Sequence, residues 1–207
     1  MNNFNLKKVM SLVVLIISLF TGSTAMAKGN DVADAQKTIM RVTASVVNEL
    51  GKNKARYQSD PKFLDSMIRR DMLPAIDFNA MSKLTLGKHW RKASASQRTR
   101  FTSAYREMLI RSYGKIMLKY AGASIRSGNS VAGKRVGYVT VRTVVTPKGG
   151  ASVAANYDVR NVSGKWKAYN VQVGGVNLIT NFRTNFTREV SAKGIEALIS
   201  RLNKTKK

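Results

Sequence analysis

Apolar residues recur every three or four positions from Asp31 to about Asn53, through Val32, Ala35, Ile39, Val42, Val46 and Leu50. That period predicts an amphipathic helix with Asp31 as its cap. Ser59-Asp60-Pro61 announces a second helix, a capping side chain followed by proline in the first turn, with Phe63, Leu64, Met67 and Ile68 as its stripe and a stop near Pro74. A short helix is expected after Asp77, through Leu86 to Gly87. The clearest helix starts at Ser94, where Ser94-Ala95-Ser96-Gln97 has the spacing of a reciprocal capping box. Its stripe runs through Phe101, Ala104, Tyr105, Met108, Leu109, Tyr113, Ile116, Met117 and Tyr120 and keeps one face in phase. A helix packed on a core accounts for that stripe; its tyrosines and methionines would also serve as adaptable cavity walls.

After Gly122 the pattern changes to valine, threonine and glycine, with polar breaks at Lys148-Gly149-Gly150 and Asn161-Val162-Ser163-Gly164 that read as hairpin turns. Strands are expected near 123–128, 136–146, 151–160 and 165–173. Val139, Val141, Thr143 and Val145 share one face, as do Val153, Ala155, Tyr157 and Val159, so one side of the sheet is buried. Small residues such as Ala151, Ala154 and Ala155 leave room on a strand. From Gly175 the helical pattern returns, is broken near Gly194 and ends with Leu198, Ile199 and Leu202. Helices, then about four antiparallel strands, then helices define an α+β fold. No composition shift marks a second domain.

Charge and the first residues change this picture. Lys7 and Lys8 precede an apolar run from Val9 to Phe20, and Ala25-Met26-Ala27 supplies a small-residue cleavage point. Residues 1–27 therefore read as a signal peptide, the run being too short for a spanning helix, and residues 28–207 as a single domain. With no cysteine, neither a lipidated leading Cys nor a disulfide is available. The mature protein is expected to be soluble and extracytoplasmic. The chain has 36 Lys and Arg against 11 Asp and Glu, a net charge of +25. Basicity of this strength points to nucleic acid or an anionic membrane surface. Export and the absence of aromatic-rich RNA-binding signatures favour no nucleic acid and an anionic lipid partner. A solvated basic surface with no specific partner is the open alternative.

The chemical inventory argues against an enzyme. His89 is the only histidine and lies among Lys88, Arg91 and Lys92, which disfavour an imidazolium intermediate. Asp65, Asp71 and Asp77 are too scattered for a metal cluster. Gly128-Asn129-Ser130-Val131-Ala132-Gly133-Lys134-Arg135 resembles a phosphate-binding loop, but Arg135 stands where a hydroxyl is needed and a strand, not a helix, is expected to follow. A basic turn between strands explains the same residues. No cofactor is expected. What remains is binding of an apolar ligand with an anionic end, held between the long helix and the valine-rich sheet. A basic interaction module without a ligand is the alternative.

Three stretches together carry a family resemblance. They are Leu84-Thr85-Leu86-Gly87-Lys88-His89-Trp90 with Ser94, Gln97 and Phe101; Tyr113 with Tyr120; and Gly175-Val176-Asn177-Leu178-Ile179, Asn181-Phe182-Arg183 and Phe186, closing on Gly194-Ile195-Glu196-Ala197-Leu198-Ile199. Their order and spacing over the mature chain resemble the MlaC, or toluene-tolerance, family of periplasmic phospholipid-binding proteins. The resemblance implies a curved antiparallel sheet under helices, similar to nuclear transport factor 2, with acyl chains in a cavity and no catalysis. It also implies periplasmic localisation and shuttling between an outer-membrane lipoprotein-porin complex and an inner-membrane ABC transporter complex, maintaining outer-membrane lipid asymmetry. Two positions depart from the family pattern: Asn177 replaces a serine and Phe182 a tyrosine.

Cavity positions follow from inward phase, since the family has no signature for them. The candidates are Phe101, Tyr105 and Met108 on the long helix, Val139, Val141, Tyr157 and Trp166 on the sheet, and Val176, Ile179 and Phe182 on the closing helix. Each is equally compatible with ordinary core. A charge at Tyr105 or Val141 is expected to remove bound lipid. Arg183 is a candidate headgroup or partner contact, or a surface salt bridge.

Overall fold

The computed structural model describes residues 22–204. The charged and apolar part of the leader, Lys7 to Phe20, lies outside the described residues. Helix α1 spans Gly22–Lys52 and crosses the buried face of the sheet. It begins before Asp31, so Asp31 is not its cap; the Asp31 carboxylate instead accepts a hydrogen bond from the Gly137 N–H at 2.8 Å, tying the helix to the turn that precedes Tyr138. Helix α2, Lys54–Ser59, leads to α3, Pro61–Met67, where Asp60 accepts from the Lys62 and Phe63 N–H groups at 2.9 and 3.1 Å and Pro61 occupies the first turn. The chain then widens into a π-helical turn, Ile68–Met72, and tightens into a 3-10 turn, Leu73–Ala75, so the helical run stops at Ala75, one residue past Pro74.

Helix α4, Phe78–Leu86, starts at Asp77 and stops at Gly87, as its sequence predicts; α5 follows over Lys88–Lys92. Helix α6, Ala95–Met117, carries the reciprocal cap: the Gln97 N–H donates to Ser94 Oγ at 3.2 Å and the Ser94 N–H to Gln97 Oε1 at 2.9 Å. A 3-10 turn, Leu118–Tyr120, extends it.

The sheet has six strands among the described residues, not four: β1 Ser124–Ser127, β2 Val131–Ala132, β3 Tyr138–Thr146, β4 Val153–Val162, β5 Lys165–Val173 and β6 Val176–Asn177. They pair in the order β1-β3-β4-β5-β6, all antiparallel, with β2 also on β3. The two additions are pairs of residues, too short to show an alternation. Between β4 and β5 the register slips: Asp158 faces Asn170 while Val159 faces Ala168, which leaves Tyr169 as the extra residue of a bulge. A bulge of this kind bends and twists the sheet. It also keeps Val171 and Val173 on the face used by Ala168.

Helix α7, Leu178–Lys204, closes the fold and is kinked at Gly194, whose φ of 77° is a conformation glycine adopts without a Cβ clash. It starts three residues later than expected, because Val176 and Asn177 first pair with β5. Asn177 caps the helix: its Oδ1 accepts from the Thr180 N–H at 3.0 Å.

Two kinds of packing result. In one layer α6 and α7 form a solid aromatic core in which Phe101, Tyr105 and Phe186 are at most 2% exposed. Phe186 meets Phe101 and Tyr105 edge-on at 5.9 and 5.6 Å between ring centres. In the other layer α1 covers the sheet, with Ala35 and Ile39 against Val139, Val141, Val159 and Trp166. Between the second half of α1, the π-helical turn, the second half of α6 and the far end of the sheet, the side chains do not meet.

Candidate functional site: an apolar cavity between helices and sheet

The space left there is a cavity of about 530 Å³, within the range typical of ligand pockets. One wall is α1, through Ile39, Val42, Thr43, Val46, Val47 and Leu50; a second is the turn region from Ile68 to Ile76 with Phe78 and Met81 of α4. The third is α6 from Leu109 to Met117, and the floor is the sheet, through Val145, Ala155, Tyr157, Ala168, Val171 and Val173. None of the described residues that line it is charged. Its polar edges are the hydroxyls of Thr43, Tyr113, Tyr120 and Tyr157.

Local sequence makes the room. Ala155 and Ala168 are strand residues whose side chains stop at Cβ; Ala155 lies across from Thr143 and Val173, and Ala168 across from Val159. Gly114, in the interior of α6, lets Ile68 of the π-helical turn approach so closely that a Cβ there would stand 3.1 Å from Ile68 Cδ1. The turn is held to α6 by Arg69, whose guanidinium donates to Glu107 and, from Nε at 2.7 Å, to Asp65. Hydrogen bonds from Arg69 hold the Glu107 carboxyl down to about 2. The Tyr157 hydroxyl is pushed up by burial, with the Thr43 and Thr143 hydroxyls opposing part of that shift. Its exposed part faces the cavity.

The mouth is marked by exposed apolar residues. Ile116 is 45%, Val173 38% and Val176 56% exposed, and all three also line the cavity. Lys115 and Lys119 are exposed beside Ile116 and Tyr120 on the same stretch of chain.

Of the ten residues expected to line a cavity, the structure brings Tyr157 and Val176 into this wall. The other eight lie elsewhere. Phe101, Tyr105, Met108, Ile179 and Phe182 pack in or against the aromatic core between α6 and α7. Val139, Val141 and Trp166 are buried under the first half of α1. The physical reason is that an inward-facing phase identifies burial, whereas a cavity requires that the opposing elements fail to meet. Burial pushes the Tyr105 hydroxyl up to about 12, with Thr85 opposing part of the shift, which marks a dry core position. Among the described residues Arg183 forms no salt bridge; its Nε donates to the Leu84 carbonyl at 2.8 Å and so links α7 to α4.

The remaining candidates resolve simply. His89 Nε2 is 3.4 Å from the Ser191 oxygen, and burial together with Lys88 and Lys92 lowers its pKa. Among the described residues no group of three or more His, Cys, Asp or Glu is placed to hold a metal ion. Gly128–Arg135 forms the approach to β3 with β2 inside it, a turn between strands as its sequence suggests.

An α+β fold in which a long-helix layer and a bent antiparallel sheet enclose an uncharged cavity defines a protein organised around an internal apolar space. The chain belongs to the MlaC protein family, whose model matches residues 40–204. It is 22% identical over 209 residues to the intermembrane phospholipid transport system binding protein MlaC of Haemophilus influenzae, covering 99% of this chain and 96% of that one. It is 30% identical over 159 residues to the toluene tolerance protein ttg2D of Pseudomonas putida, covering 75% and 73%. The fold is that of a phospholipid-binding protein from Ralstonia solanacearum, solved in complex with a phospholipid. That match has a TM-score of 0.75 at 20% identity and spans 82% of this chain and 95% of that one.

Proposed function

We propose that this chain is a periplasmic phospholipid carrier that holds acyl chains in the cavity and leaves the headgroup at the mouth. The observation that carries the reading is the cavity itself: about 530 Å³ without a charged wall residue, opening through Ile116, Val173 and Val176. Each methylene transferred from water into such a space contributes about 0.8 kcal/mol, so ten of them outweigh any surface ion pair. The Haemophilus and Ralstonia relatives, named for phospholipid transport and binding, support the same ligand class. Tyr157 and Val176 contact the acyl chains on this reading, together with Val145, Leu109 and Val171.

The mature protein begins near Lys28 after cleavage of residues 1–27, and residues 28–207 work as a single domain. It exchanges lipid with an outer-membrane lipoprotein-porin complex and an inner-membrane ABC transporter, maintaining outer-membrane asymmetry. It does so without a chemical step, binding and release being all that its apolar walls provide. No helix among the described residues is long and apolar enough to cross a membrane.

Carrying is tested by movement of a fluorescent phospholipid between donor and acceptor vesicles. The protein should accelerate transfer in proportion to its concentration; a rate equal to that of vesicles alone would contradict the proposal.

A further inference from the structure

Not all of the exposed apolar side chains ring the cavity mouth. Leu84, 37% exposed, lines a second concavity of about 360 Å³, and Val136, 57% exposed, directly follows its lining residue Arg135. This cleft forms where the β2–β3 turn, α4 and parts of β4 and β5 converge. Its walls include Lys83, Lys134, Arg135, Arg160, Tyr138 and Tyr169. Tyr138 and Arg160 are cross-strand partners, so alternation directs them to the face opposite their neighbours Val139 and Val159, which are buried under α1. The cleft therefore opens away from the cavity's face of the sheet. Along β3 it is about seven residues, or roughly 23 Å, from the Val145 end of the cavity.

The cleft's charge is organised. Arg160 is anchored by Asp77, its Nε donating to Oδ2 at 2.6 Å, and Asp77 in turn accepts from the Ala80 N–H of α4 at 2.9 Å. The Arg135 guanidinium carbon stands 4.5 Å from the centre of the Tyr138 ring, and that ring meets Tyr169 at 5.9 Å, tilted by 69°. Among the described residues Lys83, Lys134 and Arg135 make no ion pair. Two carboxylates lie nearby and keep their charge, held by neutral donors: Asp158 accepts from Thr140 and Asn170, and Asp31 from the Gly137 N–H, so the three cations outnumber them. This is also the segment that imitates a phosphate loop, presented here by a strand turn.

We propose that this cleft docks the protein on an anionic phospholipid bilayer, with a headgroup phosphate held among Lys83, Lys134, Arg135 and Arg160 and Val136 inserted beside it. Cations alone would suit any oxyanion. An exposed valine at the tip of the turn, next to two unpaired cations, fits a surface in which phosphate lies directly above hydrocarbon. Docked this way, the rim at Ile116, Val173 and Val176 stays free for exchange. The proposal does not depend on what the cavity holds.

Cosedimentation with phosphatidylcholine vesicles, with and without phosphatidylglycerol, tests it. The protein should bind the anionic vesicles, more weakly as salt rises, and not the neutral ones. K134E/R135E should weaken binding roughly 30-fold or more, and V136S several-fold at unchanged charge. K193E/R188E, the same charge reversal on exposed positions of α7, should bind like the unaltered protein. All these positions are exposed, and circular dichroism verifies that each variant is folded. Failure to bind anionic vesicles, binding that survives K134E/R135E, or an equal loss in K193E/R188E would overturn the proposal. So would tight binding of inorganic phosphate at this cleft without vesicle binding, which would assign it to a free anion.

Discussion

Replacing Val171 by glutamate should strip the protein of phospholipid without unfolding it. Val171 is half-buried on β5 and faces the cavity, where it contributes to a wall that has no charge. A carboxylate there is hydrated when water fills the space. Acyl chains would remove that water, and burying an unpaired carboxylate costs several kcal/mol or forces it to take up a proton. Bound phospholipid, measured after solvent extraction at neutral pH, should fall about tenfold or more, while the circular dichroism spectrum is retained. Retention of lipid should partly recover as the pH is lowered and the carboxyl is neutralised. Full occupancy at neutral pH in V171E would show that the ligand lies elsewhere.

Phe186→Ala should do the opposite, costing stability and leaving the ligand in place. Phe186 is 2% exposed, lies outside the cavity wall, and stacks edge-on with Phe101 and Tyr105 and tilted against Phe182 at 5.4 Å. Truncating a buried phenylalanine removes its burial energy and leaves a hole, together about 3–5 kcal/mol. In urea the midpoint should drop sharply at an unchanged slope, because the same surface is exposed on unfolding. The folded fraction should carry as much phospholipid as the unaltered protein. If F186A loses lipid but keeps its stability, the aromatic core between α6 and α7 is the binding wall after all.

The contrast between these two substitutions shows where sequence reasoning reaches and where it stops. Helix starts were legible because a cap is local chemistry: Asp60 with Pro61, Asp77, and Ser94 with Gln97 each make the hydrogen bonds that their spacing implies. Asp31 has a helix-capping residue type, but its partner at Gly137 is 106 positions away and no local pattern reveals it. Strands β3, β4 and β5 show in their alternation; β2 and β6, two residues each, have none to show.

The cavity was legible as a kind of site and not as a set of residues. The α6 stripe is continuous from Phe101 to Met117, yet its first half packs on α7 and its second half lines the open space. Which half is which depends on where α7 crosses, a tertiary fact. Tyr105 and Val141, whose replacement by a charge was expected to empty a cavity, sit in filled core, so that change should unfold the protein instead. Better signals were present in the chain. Ala155, already read from the sequence as leaving room, lies on the cavity wall with Ala168 on the next strand, Gly114 inside a helix and the exposed Ile116 near the end of an apolar stripe, whereas Ala151 and Ala154 are not among the lining residues. Small side chains facing large apolar ones across a layer mark room more reliably than aromatic phase does.

The carrier reading is tested most directly by native mass spectrometry of the purified protein, followed by solvent extraction and identification of whatever is released. The structure calls for phospholipid in stoichiometric amount, with a mass shift that counts the bound molecules and a V171E control that comes out empty. A protein of bare mass that also refuses added phospholipid would contradict the reading and leave a basic interaction module in its place.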